Sequence, residues 1–175
     1  MRAGVFTTAT FATAQAADID KFRLPANCGG GACGGVNWVA SGSATLSQQG
    51  NSLIVNQQSD KTQLNWQSFD IGGQASVEFK QPSSTAIAVN RVYQGDASKI
   101  YGSLIANGQV YLINPNGVIF GETARVNVHS LIASSLNITD KALEKGIADA
   151  ILERQPSFEA FKSENGEPIL HGKVE

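Results

Sequence analysis

Between residues 53 and 138 the apolar residues come in pairs two positions apart, and the chain between one pair and the next is too short for a helix. The pairs are Leu53 with Val55, Leu64 with Trp66, Val77 with Phe79, Ile87 with Val89, Val110 with Leu112, Val118 with Phe120, Val126 with Val128 and Leu136 with Ile138. Period two is the signature of a strand with one face turned inward. Turn clusters separate the pairs: QQGN, DIGG, QPSS, QGDAS, ANG, NPNG and GET. Short strands joined by turns follow, and the chain reads as all-β up to about Asp140.

This pattern leaves the architecture open between a sandwich, a barrel and a solenoid. Sandwiches are the commoner outcome. Three features suit a solenoid: the strands are very short, Leu53-Ile54-Val55 and Val118-Ile119-Phe120 are apolar on both faces, and amides recur beside turns at Asn107, Asn114, Asn116 and Asn127. In a β-helix such amides stack from coil to coil in hydrogen-bonded ladders. Turns also favour Asn for their own local reasons. Asn114, Pro115, Asn116 and Gly117 form the structural turn motif of the chain. Asn first, Pro second and Gly fourth is the order a type I turn prefers, so NPNG is a tight corner, either of a hairpin or between two solenoid faces.

Past Asn137 the character changes. Thr139 or Asp140 can cap a helix, and Leu143, Ile147 and Ile151 recur four apart until Pro156, which predicts one C-terminal amphipathic helix over residues 140–154. Gly146 weakens it by about 1 kcal/mol relative to Ala, so it is expected to depend on docking against the β core. The remaining tail is polar and turn-rich.

The N-terminus reads as the remnant of a signal peptide. MRAGVFTTATFATAQA has an early Arg, a weakly apolar middle and Ala14-Gln15-Ala16, the small-residue pattern cut by signal peptidase, so the mature chain is expected to start at Ala17. The chain therefore divides into residues 1–16 as leader, 17–140 as the β domain and 141–175 as helix and tail. Cys28 and Cys33 enclose only GGGA, a loop flexible enough for a disulfide, which would contribute about 2 kcal/mol as a local clip. Two free thiols in a glycine loop are the alternative. Zinc is not expected, because His129 and His171 lie far off without ligand-like spacing.

Charge excludes one class of partner. Charged residues make up 16%, the formal net charge is −2 and no basic stripe exists to follow a phosphate backbone, so nucleic acid is not expected. No apolar run approaches the ~20 residues of a membrane-spanning helix. Parallel β-helices also host polysaccharide lyases and hydrolases, which need clustered carboxylates or a basic residue facing a groove, but an enzyme is not expected here. Asp60, Asp70, Glu78, Asp96 and Glu122 are isolated, and adjacent His129 and Ser130 point to opposite faces of a strand. The glycine runs DIGG and GGGACGG lack the strand-then-helix context of a phosphate cradle, so no cofactor is expected. Arg91 and Lys99 read as solvated surface.

The blocks GNSLIVNQQSDKTQLNWQSFDIG, VEFKQPSSTAIAVNRV, SLIANGQVYLINPNGVIFG and ARVNVHSLIASSLNI, in this order over residues 41–140, resemble the N-terminal secretion domain of the filamentous haemagglutinin family, the exoproteins of bacterial two-partner secretion. The resemblance implies a right-handed parallel β-helix with an N-terminal β cap and extra-helical strands. It also implies recognition by the periplasmic domains of an outer-membrane transporter, export through the periplasm, and a place at the cell surface or outside it. The other role it suggests is adhesion to a host surface glycan or protein. The Cys28 to Cys33 loop and the helix near Asp140 depart from the family pattern. The chain also stops short of the family's long repeats, which reads as a fragment or a truncated gene.

Overall fold

The computed structural model describes residues 19–93, 95–145, 156–162, 168–169 and 174. Three strands come first: β1 (Ala26–Asn27), β2 (Val39–Ser41) and β3 (Ala44–Gln49). The chain then winds through four coils of a β-solenoid. The first holds β4 (Ser52–Gln57) and β5 (Lys61–Ser68), the second β6 (Ser76–Lys80), β7 (Ile87–Val92) and β8 (Ser98–Ile100). The third holds β9 (Ser103–Ala106), β10 (Gln109–Ile113) and β11 (Val118–Phe120), and the fourth β12 (Arg125–Asn127) and β13 (Ser130–Ser134).

Three parallel faces result. One stacks β4, β6, β9 and β12, the second stacks β5, β7, β10 and β13, and the third stacks β8 and β11, with Ile71 of the first coil bridging to Ile100. Strands of three residues suffice because each repeats the bond of the coil beneath. Ser76 N donates to Asn51 O, Ser103 N to Ala75 O and Arg125 N to Gly102 O, each at 3.0 Å. The coils pass so closely at Gly102 that a Cβ there would lie 2.2 Å from Gly72 O and 2.3 Å from Ala75 O.

Alternation fills the interior with aligned rows. Leu53, Val77, Leu104 and Val126 are in register, as are Leu64, Asn90, Leu112 and Ala133, with Trp66 beside Val92. Val126 belongs to the same inward row as its buried neighbours yet is 41% exposed, since among the described residues no coil lies over it. At the other end the first coil is capped by antiparallel pairing: β1 and β2 run along β5, and β3 runs along β4. Capping of this kind keeps β5 from presenting an open edge.

The outward side of the second face is covered too. Ile87, Val89, Tyr111 and Ile113 form a separate cluster with Ile138 of β14 (Asn137–Ile138), Ala142 of α1 (Asp140–Lys145) and, more openly, Ile132, Leu143 and Phe158. The pair Ile87 and Val89 thus faces the helix, while Ala88 and Val92 of the same strand face the solenoid interior. Burial there pushes the Tyr111 phenol above its ordinary pKa. Thr139 caps α1, its Oγ1 accepting from Ala142 N at 3.3 Å. Strand β15 (Phe158–Glu159) pairs antiparallel with β14, and β16 (Phe161–Lys162) pairs with β17 (Pro168–Ile169). The rest of the expected helix, residues 146–154, and the leader, residues 1–16, lie outside the described residues. Arg91, expected on the solvated surface, is instead part-buried and donates from Nη2 to Ile138 O at 3.3 Å, fastening this extension to the coils.

Candidate functional site

Because β10 belongs to the second face and β11 to the third, the chain changes face at Asn114, Pro115, Asn116 and Gly117. Gly117 N closes the turn on Asn114 O at 2.9 Å. The Asn114 side chain has no exposed surface. Its Oδ1 accepts from Asn116 N at 2.9 Å, and its Nδ2 donates to Ser98 Oγ at 2.9 Å and Asp96 O at 3.1 Å, both in the coil beneath. Exposed Asn116 donates from Nδ2 to Gly95 O at 2.7 Å. Gly117 takes φ +100, where an L side chain is strained. Gly117→Val is expected to cost about 1 to 3 kcal/mol, read as a lower thermal midpoint, and an unchanged midpoint would contradict this account of the corner.

Of the two readings of Asn107, Asn114, Asn116 and Asn127, a coil-to-coil ladder and local turn chemistry, the ladder does not form, and the reason is register. Asn127 pairs with Ile105, two residues short of Asn107, and the NPNG turn sits at another corner. The amides of Asn107, Asn114 and Asn116 bond backbone instead. Asn107 accepts from Gln81 N and donates to Gln81 O, both at 2.7 Å. The stacked amides are Gln57 and Gln81, which sequence reading missed. Gln81 Nε2 donates to Gln57 Oε1 at 3.1 Å and Ala86 O at 3.0 Å, and Gly108 N donates to Gln81 Oε1 at 3.1 Å. A signal was present, since VNQ and FKQ each close the segment that stacks β6 on β4.

Cys28 and Cys33 are disulfide-bonded and buried, with Cys33 in a short 3-10 turn, Ala32–Gly35. Cys28 N donates to Asn65 O at 3.1 Å, so the loop lies against β5.

Among the described residues the titratable groups do not assemble. Asp70 accepts from Lys99 N at 2.9 Å and lies 3.9 Å from Arg23, while Glu78 lies 3.9 Å from Lys80. Asp60, Asp96 and His129 are exposed. Glu122 borders an open concavity of about 630 Å³ in which it is the sole carboxylate among the described lining residues, beside Lys21, Tyr101 and Thr123. Among the described residues no three His, Cys, Asp or Glu side chains come together as a metal site would need. What the surface offers is backbone: corners built to fixed shape, and strand edges.

Residues 37–158 match the family of the TPS secretion domain. Two heme/hemopexin-binding proteins of Haemophilus influenzae are similar. One is 40% identical over 136 residues, 78% of this chain, and the other 50% identical over 86 residues, 49% of this chain. The matched parts make up only 15% and 9% of those proteins. The crystal structure of the HMW1 secretion domain from Haemophilus influenzae superposes with a TM-score of 0.57 at 36% identity, covering 61% of this chain and 28% of that one.

Proposed function

The chain belongs to the TPS secretion domain family of two-partner secretion exoproteins, and on that premise we propose that it is the region by which a dedicated outer-membrane transporter recognises its cargo. The carrying observation is the extent of the match, since residues 37–158 take in all four coils, part of the N-terminal cap and the start of the extension that covers the second face. Recognition then rests on a folded shape and its strand edges, with the periplasmic domains of the transporter as the partner. The same reading makes residues 1–16 a leader removed on passage to the periplasm.

Export is the test. The chain, tagged at its C-terminus, is produced in a bacterium with and without the transporter, and the medium is assayed. Tagged protein is expected outside the cell only with the transporter, with an intact mass that begins at Ala17. Equal export without it would overturn the proposal.

A further inference from the structure

Five of the seven residues from Gly29 to Gly35 are glycine, and ordering glycine costs more backbone entropy than ordering any other residue. The loop is therefore held only by its contacts, and these are few. A Cβ at Gly30, Gly31, Gly34 or Gly35 would meet nothing within 4 Å, so the loop packs against nothing at those positions. Most of its own hydrogen bonds are internal: Gly29 N donates to Asn27 Oδ1, Ala32 N to Gly29 O and Val36 N to Cys33 O. Toward β5 it offers Cys28 N, which donates to Asn65 O, and the two residues of β1, between which the register slips. Cys28 and Cys33 are buried, and among the described residues Cys33 is the one non-glycine at positive φ, 58°. The cystine is thus both the interior of the loop and the constraint on its shape.

Both ends of the loop are pinned without the cystine. Upstream, Gly72 N donates to Arg23 O at 2.9 Å and Gln74 N to Lys21 O at 2.8 Å, which fixes residues 21–23 to the first coil. Downstream, Asn65 donates from N to Trp38 O at 2.7 Å and from Nδ2 to Asn37 O at 2.9 Å, and the Trp38 ring packs edge-on against Trp66. A segment anchored at both feet and held between them by one cross-link opens by itself when the link is cut.

We propose that residues 25–36 are a flap worked by thiol–disulfide exchange. With Cys28 and Cys33 joined it lies on β5, and with both reduced it lifts between its pinned ends and uncovers the outer side of β5 from Asn65 to Ser68. A dithiol supplies the two electrons and two protons. Its thiolate attacks Cys33 Sγ, which exposed Gly34 and Gly35 flank; the S–S bond breaks and Cys28 leaves as a thiolate that takes up a proton. The second thiol displaces Cys33 from the mixed disulfide, Cys33 is protonated in turn, and the dithiol ends as a cyclic disulfide. Oxidation reverses these steps. The flap is shut in an oxidising compartment and open where thiols stay reduced.

Backbone hydrogen exchange of the whole chain, oxidised and in excess dithiothreitol, reads the flap apart from its feet. After reduction the Cys28 amide is expected to exchange about tenfold faster or more. The Asn65 and Gly72 amides, which hold the two ends, should keep their rates, as should the Tyr93 amide, which donates to Trp66 O. Reoxidation should restore slow exchange at Cys28. In the double variant Cys28→Ser, Cys33→Ser the amide at position 28 should exchange fast with or without the dithiol; should that variant fail to fold, the wild-type chain decides alone. Complete reduction, verified by alkylation of both thiols in denaturant, with the Cys28 amide still slow would show that packing holds the loop and would overturn the flap. Acceleration at Asn65, Gly72 and Tyr93 together with Cys28 would overturn it as well, because the disulfide would then support the domain and not a separate flap.

Discussion

Trp66→Ala is expected to lower the unfolding free energy by about 3 to 5 kcal/mol, the usual cost of removing a large aromatic from a core. Trp66 is fully buried in the first coil. Its ring meets Phe69 edge-on at 5.3 Å and Trp38 edge-on at 6.0 Å, which ties the interior to the segment ahead of β2. A second loss adds to the cavity. Trp66 Nε1 donates to Asn90 Oδ1 at 2.9 Å, and Asn90 is itself fully buried in the interior row between Leu64 and Leu112. Without the indole, that carbonyl oxygen is left in an apolar interior, where an unmet acceptor costs about 1 to 3 kcal/mol. Trp66→Phe should keep most of the packing and lose the bond, so its deficit should be smaller. Denaturant unfolding of the three proteins checks the order, and a loss under about 1 kcal/mol for Trp66→Ala would contradict the core assignment.

Asn90 also marks where sequence reading stops. The period-two pairs locate the strands because alternation is local, and the turn clusters locate the corners because turn chemistry is local. Which apolar residues face the interior is not local. Ile87-Ala88-Val89 offers an apolar residue to either side, and the choice depends on whether something covers the outer face, which here is the segment carrying Ile138 and Ala142. Val126 shows the converse, since its register points it inward yet it stays open at the end of the stack. Coil length is equally hidden. The ladder of asparagines fails by a two-residue offset, while Gln57 and Gln81 meet because Ser52 stacks beside Ser76. Arg91 reads as surface until Ile138 is folded back over it.

Asn114→Ala is expected to cost about 2 to 4 kcal/mol, well beyond an ordinary single hydrogen bond. Asn116 N, Ser98 Oγ and Asp96 O each lose a partner at once. The Asn114 side chain and Ser98 are buried, so water does not reach the Ser98 hydroxyl without opening the corner. Asn114→Asp keeps the acceptor for Asn116 N but turns an oxygen toward Asp96 O and places a charge in a buried site, so it should be no milder. Secretion distinguishes this account from one in which the turn touches the transporter directly. If shape is what Asn114 supplies, export falls only as the folded fraction falls and recovers when cells are grown well below the melting temperature of the variant. Exposed Asn116 supplies the comparison, because Asn116→Ala gives up one bond, to Gly95 O, and should leave both stability and export near wild type. A variant at Asn114 that melts like wild type yet is not exported would mean that the side chain acts on the partner, and the corner would have to be redrawn as a contact.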